Sequence, residues 1–323
     1  MSAGTRHFPA SRLGFQFAAI GARGAGEAPG RVAPMPASSM PSPFSAPLGA
    51  APRRPGGGRR ARGTGMRVDL LGLPVDLLGR DETLARALAA MAGEAPPLRH
   101  AALDVATLVA ARRDAALARD LRESDLVSVA GSGIALALWL AGRGARPRVA
   151  GIDLFDGVLE GCERRGLRPF LLGEAPDVVA DAARALRRRH PRLRLAGRHH
   201  GHFRPDQEPE ICRRIAASGA DGLVLSLPAG LRHGFLRRNR ERLAVPLVLS
   251  AEGAFALTAG RMHRAPPLVR RVGAEWAYRA AQDPRRLAGR ALRSNAAFAG
   301  LLLAALLRRL ADPRLPAGSG LRA

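Results

Sequence analysis

The chain has 323 residues, enough to bury a substantial core in one large domain or two small ones. Its formal charge of +24 invites a nucleic-acid partner, but every one of the 51 basic residues is arginine and there is a single tyrosine. With no basic motif interleaved with aromatics, that pattern reads as a GC-rich coding background and excludes a specific nucleic-acid partner, while still suiting anionic membranes and diphosphate substrates.

Cys162 and Cys212 lack metal-ligand spacing and form no disulfide framework, which fits a reducing cytoplasm. No run of 18 apolar residues is present; the longest apolar stretch, Ala296–Leu307, is too short to span a bilayer.

Residues 1–65 are rich in Pro, Gly, Ala and Ser and show no sustained periodicity, so they read as a disordered extension. Met66, directly before the first regular alternation, is the expected true start of the folded chain. From there strands and helices are expected in turn. Val68–Leu71 reads as a strand, Asp81–Met91 as a helix, Arg99–Leu103 as a strand ending at Asp104, and Ala106–Arg122 as a helix. Strand Leu126–Val129 ends at Ala130-Gly131 and leads into helix Ile134–Ala141. A short strand over Arg148–Ile152 and helix Leu154–Arg165 follow.

The central unit begins with Phe170, Leu171 and Leu172, a buried-strand run closed by Gly173. Pro176 suits the first turn of a helix, and Val178, Val179, Ala182, Ala183 and Leu186 share one face of it. Pro191 stops that helix, and Leu193, Leu195 and Ala196 give a second strand running to Gly197. Such a crossover implies parallel pairing, with ligands beyond the carboxyl ends of the strands, near Gly173–Glu174 and Arg198–Phe203. Helix Glu208–Ser218, strand Gly222–Leu227, helix Phe235–Leu243 and strand Leu247–Ser250 continue the alternation. The fold expected over 66–260 is α/β, a doubly wound, mostly parallel, Rossmann-like sheet. Helices near Pro267–Ala281 and Leu287–Leu310 form a C-terminal helical appendage over 261–323, whose Arg-rich face reads either as a solvated surface or as a membrane contact.

Several of these segments together resemble one family. Phe170-Leu-Leu-Gly173, Pro176, His190-Pro191 and the spaced Gly197, Gly201 and Phe203 resemble the central unit of the WecG/TagA/CpsF bacterial glycosyltransferases. Arg264-Ala-Pro266, Gly273, Glu275-Trp276, Tyr278-Arg279 and Pro284-Arg285-Arg286 extend the match, which spans about Arg67 to Arg290. The resemblance implies inverting transfer of an N-acetylmannosamine-like sugar from a UDP-sugar to a lipid-linked polyprenyl diphosphate acceptor, in exopolysaccharide or cell-wall polymer synthesis. It implies no cofactor, and a cytoplasmic place with a peripheral position at the inner face of the plasma membrane open to the C-terminal helix.

Inverting transfer needs a carboxylate to take the acceptor hydroxyl proton and positive groups to stabilise the departing nucleoside diphosphate. Where the family has an Asp-Gly pair, this chain has Ala130-Gly131, and the family's Thr-x-Asn is written Ala102-Leu103-Asp104. Adjacent strand ends lie about 5 Å apart, so Asp104 is the candidate relocated base. Further departures are Pro228 to His233, Ala256 and Glu174. Substrate contacts are expected from Gly131, Ser132, Gly173, Gly201, His202, Arg232, Arg264, Arg279 and Arg286, while Trp276 reads as packing.

Two alternatives stay open beside this one: a catalytically silent paralogue that binds nucleotide sugar or a partner enzyme, and a dinucleotide enzyme. The second rests on Gly131-Ser-Gly133 after a strand and on Asp153 about twenty residues later, a partial fingerprint. His199, His200 and His202 with Asp206 and Glu208 match no standard metal spacing, so no metal is expected.

Overall fold

A computed structural model describes residues 66–143, 148–271, 273–282 and 289–311, so the expected disordered extension 1–65 lies outside the described residues. All of these residues fall within one unit, Gly57–Ala323. Six strands make a parallel sheet: β3 (Leu98–Leu103), β4 (Leu126–Val129), β5 (Pro169–Gly173), β6 (Gly197–His199), β7 (Gly222–Ser226) and β8 (Leu247–Ser250). Their order is β4-β3-β8-β7-β5-β6, with every pairing parallel. The α/β doubly wound expectation therefore holds, with both faces of the sheet covered.

Alternation along the central strands sorts their side chains between two layers. Leu171, Val224, Leu247 and Leu249 pack on one side with α1 (Arg80–Met91), α5 (Gly151–Arg165) and α6 (Pro176–Arg189). Phe170, Leu172, Leu223, Leu225 and Val248 pack on the other with α7 (Glu208–Ala217) and α8 (Ala229–Arg238). A third cluster joins β3 and β4 to α2 (Val105–Ala111), α3 (Ala115–Glu123) and α4 (Ser132–Leu140). Phe298, Leu302 and Ala305 of the long C-terminal helix complete that third cluster.

The central unit behaves as its spacing predicts. Strands β5 and β6 are adjacent and parallel, with Phe170 opposite Gly197 and Leu172 opposite His199. The second strand, however, is Gly197–His199 and not Leu193–Gly197. Leu193 is buried in the core, but its backbone N–H donates to the His190 carbonyl and closes a turn, so the ladder starts later.

Other boundaries shift for local reasons. The helix expected over Ala106–Arg122 is two, because the Asp114 carboxylate accepts from the Ala116 and Leu117 N–H groups and starts α3. Arg148–Ile152 is no strand: Val149 N–H donates once to the Val129 carbonyl, and α5 starts at Gly151. The helix expected at Phe235–Leu243 runs earlier, as α8.

The first strand, β1 (Arg67–Leu70), pairs antiparallel with β2 (Leu73–Asp76) in a separate hairpin. Leu71 and Gly72 both take positive φ, 54° and 83°, as a tight primed turn requires. Asp76 fastens the hairpin to the sheet: its carboxylate takes two bonds from Arg67 and one from the Val127 N–H at 2.7 Å. Beyond the sheet come the short α9 (Ala254–Thr258), α10 (Pro267–Arg271), α11 (Glu275–Gln282) and α12 (Gly289–Ala311).

Candidate active site

A cleft of about 360 Å³ opens at the carboxyl ends of five strands. Asp104 follows β3, Ala130 follows β4, Glu174 follows β5, Ser226 and Pro228 close β7, and Ser250 and Glu252 close β8. Met262, Gly273, Glu275 and Trp276 from the C-terminal segment complete the wall. This is the place where open parallel sheets bind ligands.

Asp104 and Gly131 are neighbours, as the pairing of β3 with β4 dictates: a Cβ added at Gly131 would stand 3.5 Å from the Asp104 Cβ. Asp104 is also the N-cap of α2, and its Oδ1 accepts from the Thr107 N–H at 2.7 Å. One carboxylate oxygen is therefore engaged in holding the helix start. Ser132, in the first turn of α4, donates its hydroxyl to the Gly273 carbonyl at 2.8 Å and ties the C-terminal segment to the sheet.

Gly173 ends β5 at φ 146°, and a side chain there would overlap the backbone of Ser226 on β7. The next residue, Glu174, is held at φ 57°, a left-handed conformation rare outside glycine. Three bonds fix it: its N–H donates to the Ser226 carbonyl, its carbonyl accepts from the Gly201 N–H at 2.7 Å, and its carboxylate accepts from the Ser226 hydroxyl at 2.9 Å. Gly201 thus serves the cleft through the backbone of Glu174 and packs against Leu227. His202 is exposed and is not among the residues that line the cleft. Its ring lies 6.5 Å from that of His200, which burial and then the charges of His199 and His202 keep below the usual histidine range. Among the described residues no group of three His, Cys, Asp or Glu side chains is placed to hold a metal ion.

Arg232 is in the wall and almost fully buried, 2% exposed. The buried His100 bonds to Ser128 at 2.9 Å; burial first, and then the Arg232 charge, push its pKa down to about 3. His233 is pushed down to about 3 by the same two causes in the same order. Arg264 does not line the cleft: its guanidinium is paired with the Asp153 carboxylate. The side chain of Arg279 and the whole of Arg286 lie outside the described residues.

Sequence reasoning misses Glu252, Ser226 and Ser250, which reach the cleft only because β7 and β8 pair at its centre. It also reads Trp276 as packing, whereas the residue is 47% exposed and forms part of the wall. The residues of the dinucleotide pattern serve packing and ion pairing instead. Gly133 is needed because a side chain there would overlap Val105 and crowd Phe298. Asp153 sits in the first turn of α5, paired with Arg264, and not at a strand end.

Comparison with known proteins agrees with this geometry. The family model described as "Glycosyl transferase WecG/TagA/CpsF family" matches residues 68–312. One relative is the N-acetylglucosaminyldiphosphoundecaprenol N-acetyl-beta-D-mannosaminyltransferase of Bacillus spizizenii (strain ATCC 23059 / NRRL B-14472 / W23). It is 28% identical over 166 residues, 51% of this chain and 64% of the relative, so the match spans less than two thirds of that protein. With well over half of its length matched by the family model, and with the parallel sheet and strand-end cleft in place, the chain belongs to the WecG/TagA/CpsF family of glycosyl transferases.

Proposed function

We propose that the chain moves a sugar, N-acetylmannosamine-like or related, from a UDP-sugar to a lipid-linked polyprenyl diphosphate acceptor, in the synthesis of an exopolysaccharide or cell-wall polymer. Family membership supports the reaction class, and the relative's name supports the acceptor type. The observation that carries the reading is the strand-end cleft in which Asp104 and Gly131 adjoin while Arg232 lines the same wall.

In this reaction the acceptor hydroxyl attacks the anomeric carbon, the bond to the donor diphosphate breaks, and the hydroxyl proton passes to a base. Asp104 is the proposed base, acting through the carboxylate oxygen that the Thr107 N–H does not take. Negative charge builds on the leaving diphosphate, so the proposed contacts there are cationic groups, Arg232 in the wall with Arg279 and Arg286 of the C-terminal segment, and Gly131, Ser132 and Gly173 are proposed around the sugar and nucleotide. Among the described residues no helix is long and apolar enough to cross a membrane, and a lipid-linked acceptor would be met at the bilayer surface through α12.

A second reading, a silent paralogue that binds nucleotide sugar or a partner enzyme, is favoured by the capping role of Asp104 and by Ala130 in the wall. One assay separates the two: UDP release from a panel of UDP-sugars with a polyprenyl-diphosphate-sugar acceptor, comparing the native chain with Asp104→Asn. Turnover lost on substitution supports Asp104 as base, and turnover unchanged puts the base elsewhere. UDP binding without turnover supports the silent reading.

A further inference from the structure

Arg232 is poorly satisfied for a cation so deeply placed. Its Nη1 donates to the Leu227 carbonyl at 3.3 Å and to Glu252 Oε2 at 3.4 Å, and its Nη2 lies 3.5 Å from His233 Nε2. All three are long against the usual value of about 2.9 Å. Its Nε has no hydrogen-bond partner among the described residues. A buried guanidinium without a close counter-charge is unfavourable, and the flat fork of donors is shaped to bind an oxyanion.

The residues around it do not supply that anion. His100 and His233 stay neutral in this environment. Among the described residues, the carboxylate within salt-bridge reach is that of Glu252, and its side chain is 50% exposed. Glu252 sits in the turn between β8 and α9, next to Gly253 at φ 78°, where its own carboxylate is already half in water and stays solvated when another anion takes its place on Arg232. The 3.4 Å contact is long and its carboxylate is half in water, so the pair is loose, while the buried guanidinium still requires some anion beside it.

We propose that Arg232 is an exchangeable anion receptor: Glu252 holds it as an internal counter-ion, and the diphosphate of the nucleotide-sugar donor displaces Glu252 towards solvent. The proposal rests on the nucleotide-sugar reading above. Glu252 then competes with the donor, lowering its affinity, and re-forms the pair as the nucleoside diphosphate leaves. Arg232 binds the diphosphate with its charge already fixed in place, so little ordering is needed when the donor enters.

The test titrates UDP, uridine and inorganic pyrophosphate into the full chain, followed by calorimetry and by the fluorescence of Trp276 in the cleft wall. Glu252→Gln is expected to tighten UDP and pyrophosphate about fivefold and to leave uridine unchanged, because one long ion pair no longer competes with the incoming anion. Arg232→Gln is expected to weaken both anions and to abolish the gain from Glu252→Gln in the double variant. Unchanged or weaker UDP binding by Glu252→Gln overturns the proposal, as does equal tightening of uridine. Should Arg232→Gln fail to fold, the contrast between UDP and uridine in Glu252→Gln decides alone. If pyrophosphate follows the expected pattern while UDP does not bind, the exchange stands and the nucleotide-sugar reading falls; if neither binds, both fall.

Discussion

The Ser226 hydroxyl donates to the Glu174 carboxylate at 2.9 Å, while its oxygen accepts the Gly253 N–H at 3.1 Å. One buried serine therefore joins the loops after β5 and β8 across the end of β7. Ser226→Ala removes both bonds and leaves the Gly253 N–H without that acceptor, so a loss of about 1–3 kcal/mol is expected. Glu174→Gln keeps an acceptor oxygen and is expected to change stability little. Urea denaturation of the two variants checks the contrast, and equal losses would show that the carboxylate charge matters more than the bonds.

Gly173 makes a sharper prediction. At φ 146° and with Ser226 directly opposite in the β5–β7 ladder, it has no room for a Cβ. Gly173→Ala must shift the strand or the ladder, and a loss of about 3 kcal/mol or more is expected. A melting temperature within a few degrees of the parent would contradict this packing.

Acid should weaken the fold through two histidines. His100 and His233 have folded-state values pushed down to about 3, chiefly by burial, against an ordinary value near 6.5. Below about pH 6.5 the unfolded chain therefore binds protons that the folded chain refuses. Stability is fully present above that value and falls as pH drops from about 6.5 towards 3, by at most about 1.4 kcal/mol per pH unit for each histidine. Denaturant midpoints at pH 7, 6 and 5 read this slope, and His233→Asn is expected to flatten it. An unchanged slope in both His233→Asn and His100→Asn would exclude these two groups as its source.

What the sequence makes legible follows from locality. Strands β4 and β8 match their expected bounds, because a short apolar run between turn residues carries its own signal. Strand β6 escapes a reading by pattern because its ladder uses the backbone of Gly197, Arg198 and His199 at the sheet edge, where a glycine, an exposed arginine and a half-buried histidine leave no apolar mark. Hairpin strand β2 contains Pro74, which disguises it, yet Pro is tolerated at an edge. The same distinction separates the site residues. Asp104 is visible as the acid ending an apolar run, whereas Glu252 and Ser226 meet Arg232 and Glu174 only through non-local pairing of β5, β7 and β8.

The C-terminal helix gives the last prediction, because its two faces separate stability from membrane contact. Phe298, Leu302 and Ala305 form a buried stripe at helical spacing, and Phe298 lies where Gly133 leaves space. Phe298→Ala is expected to cost about 3 kcal/mol or more, since it opens a cavity where α12 packs on α2 and the first turn of α4. Leu303 and Leu307 are 61% and 57% exposed, so Leu303→Asp with Leu307→Asp is expected to leave solution stability within about 0.5 kcal/mol. On a bilayer each of those leucines would bury apolar area worth about 1.5–3 kcal/mol. Co-sedimentation with vesicles containing anionic lipid should then fall at least about tenfold in the double variant and rise again at low salt only through the arginines. Equal binding by parent and variant would assign these leucines to something other than lipid.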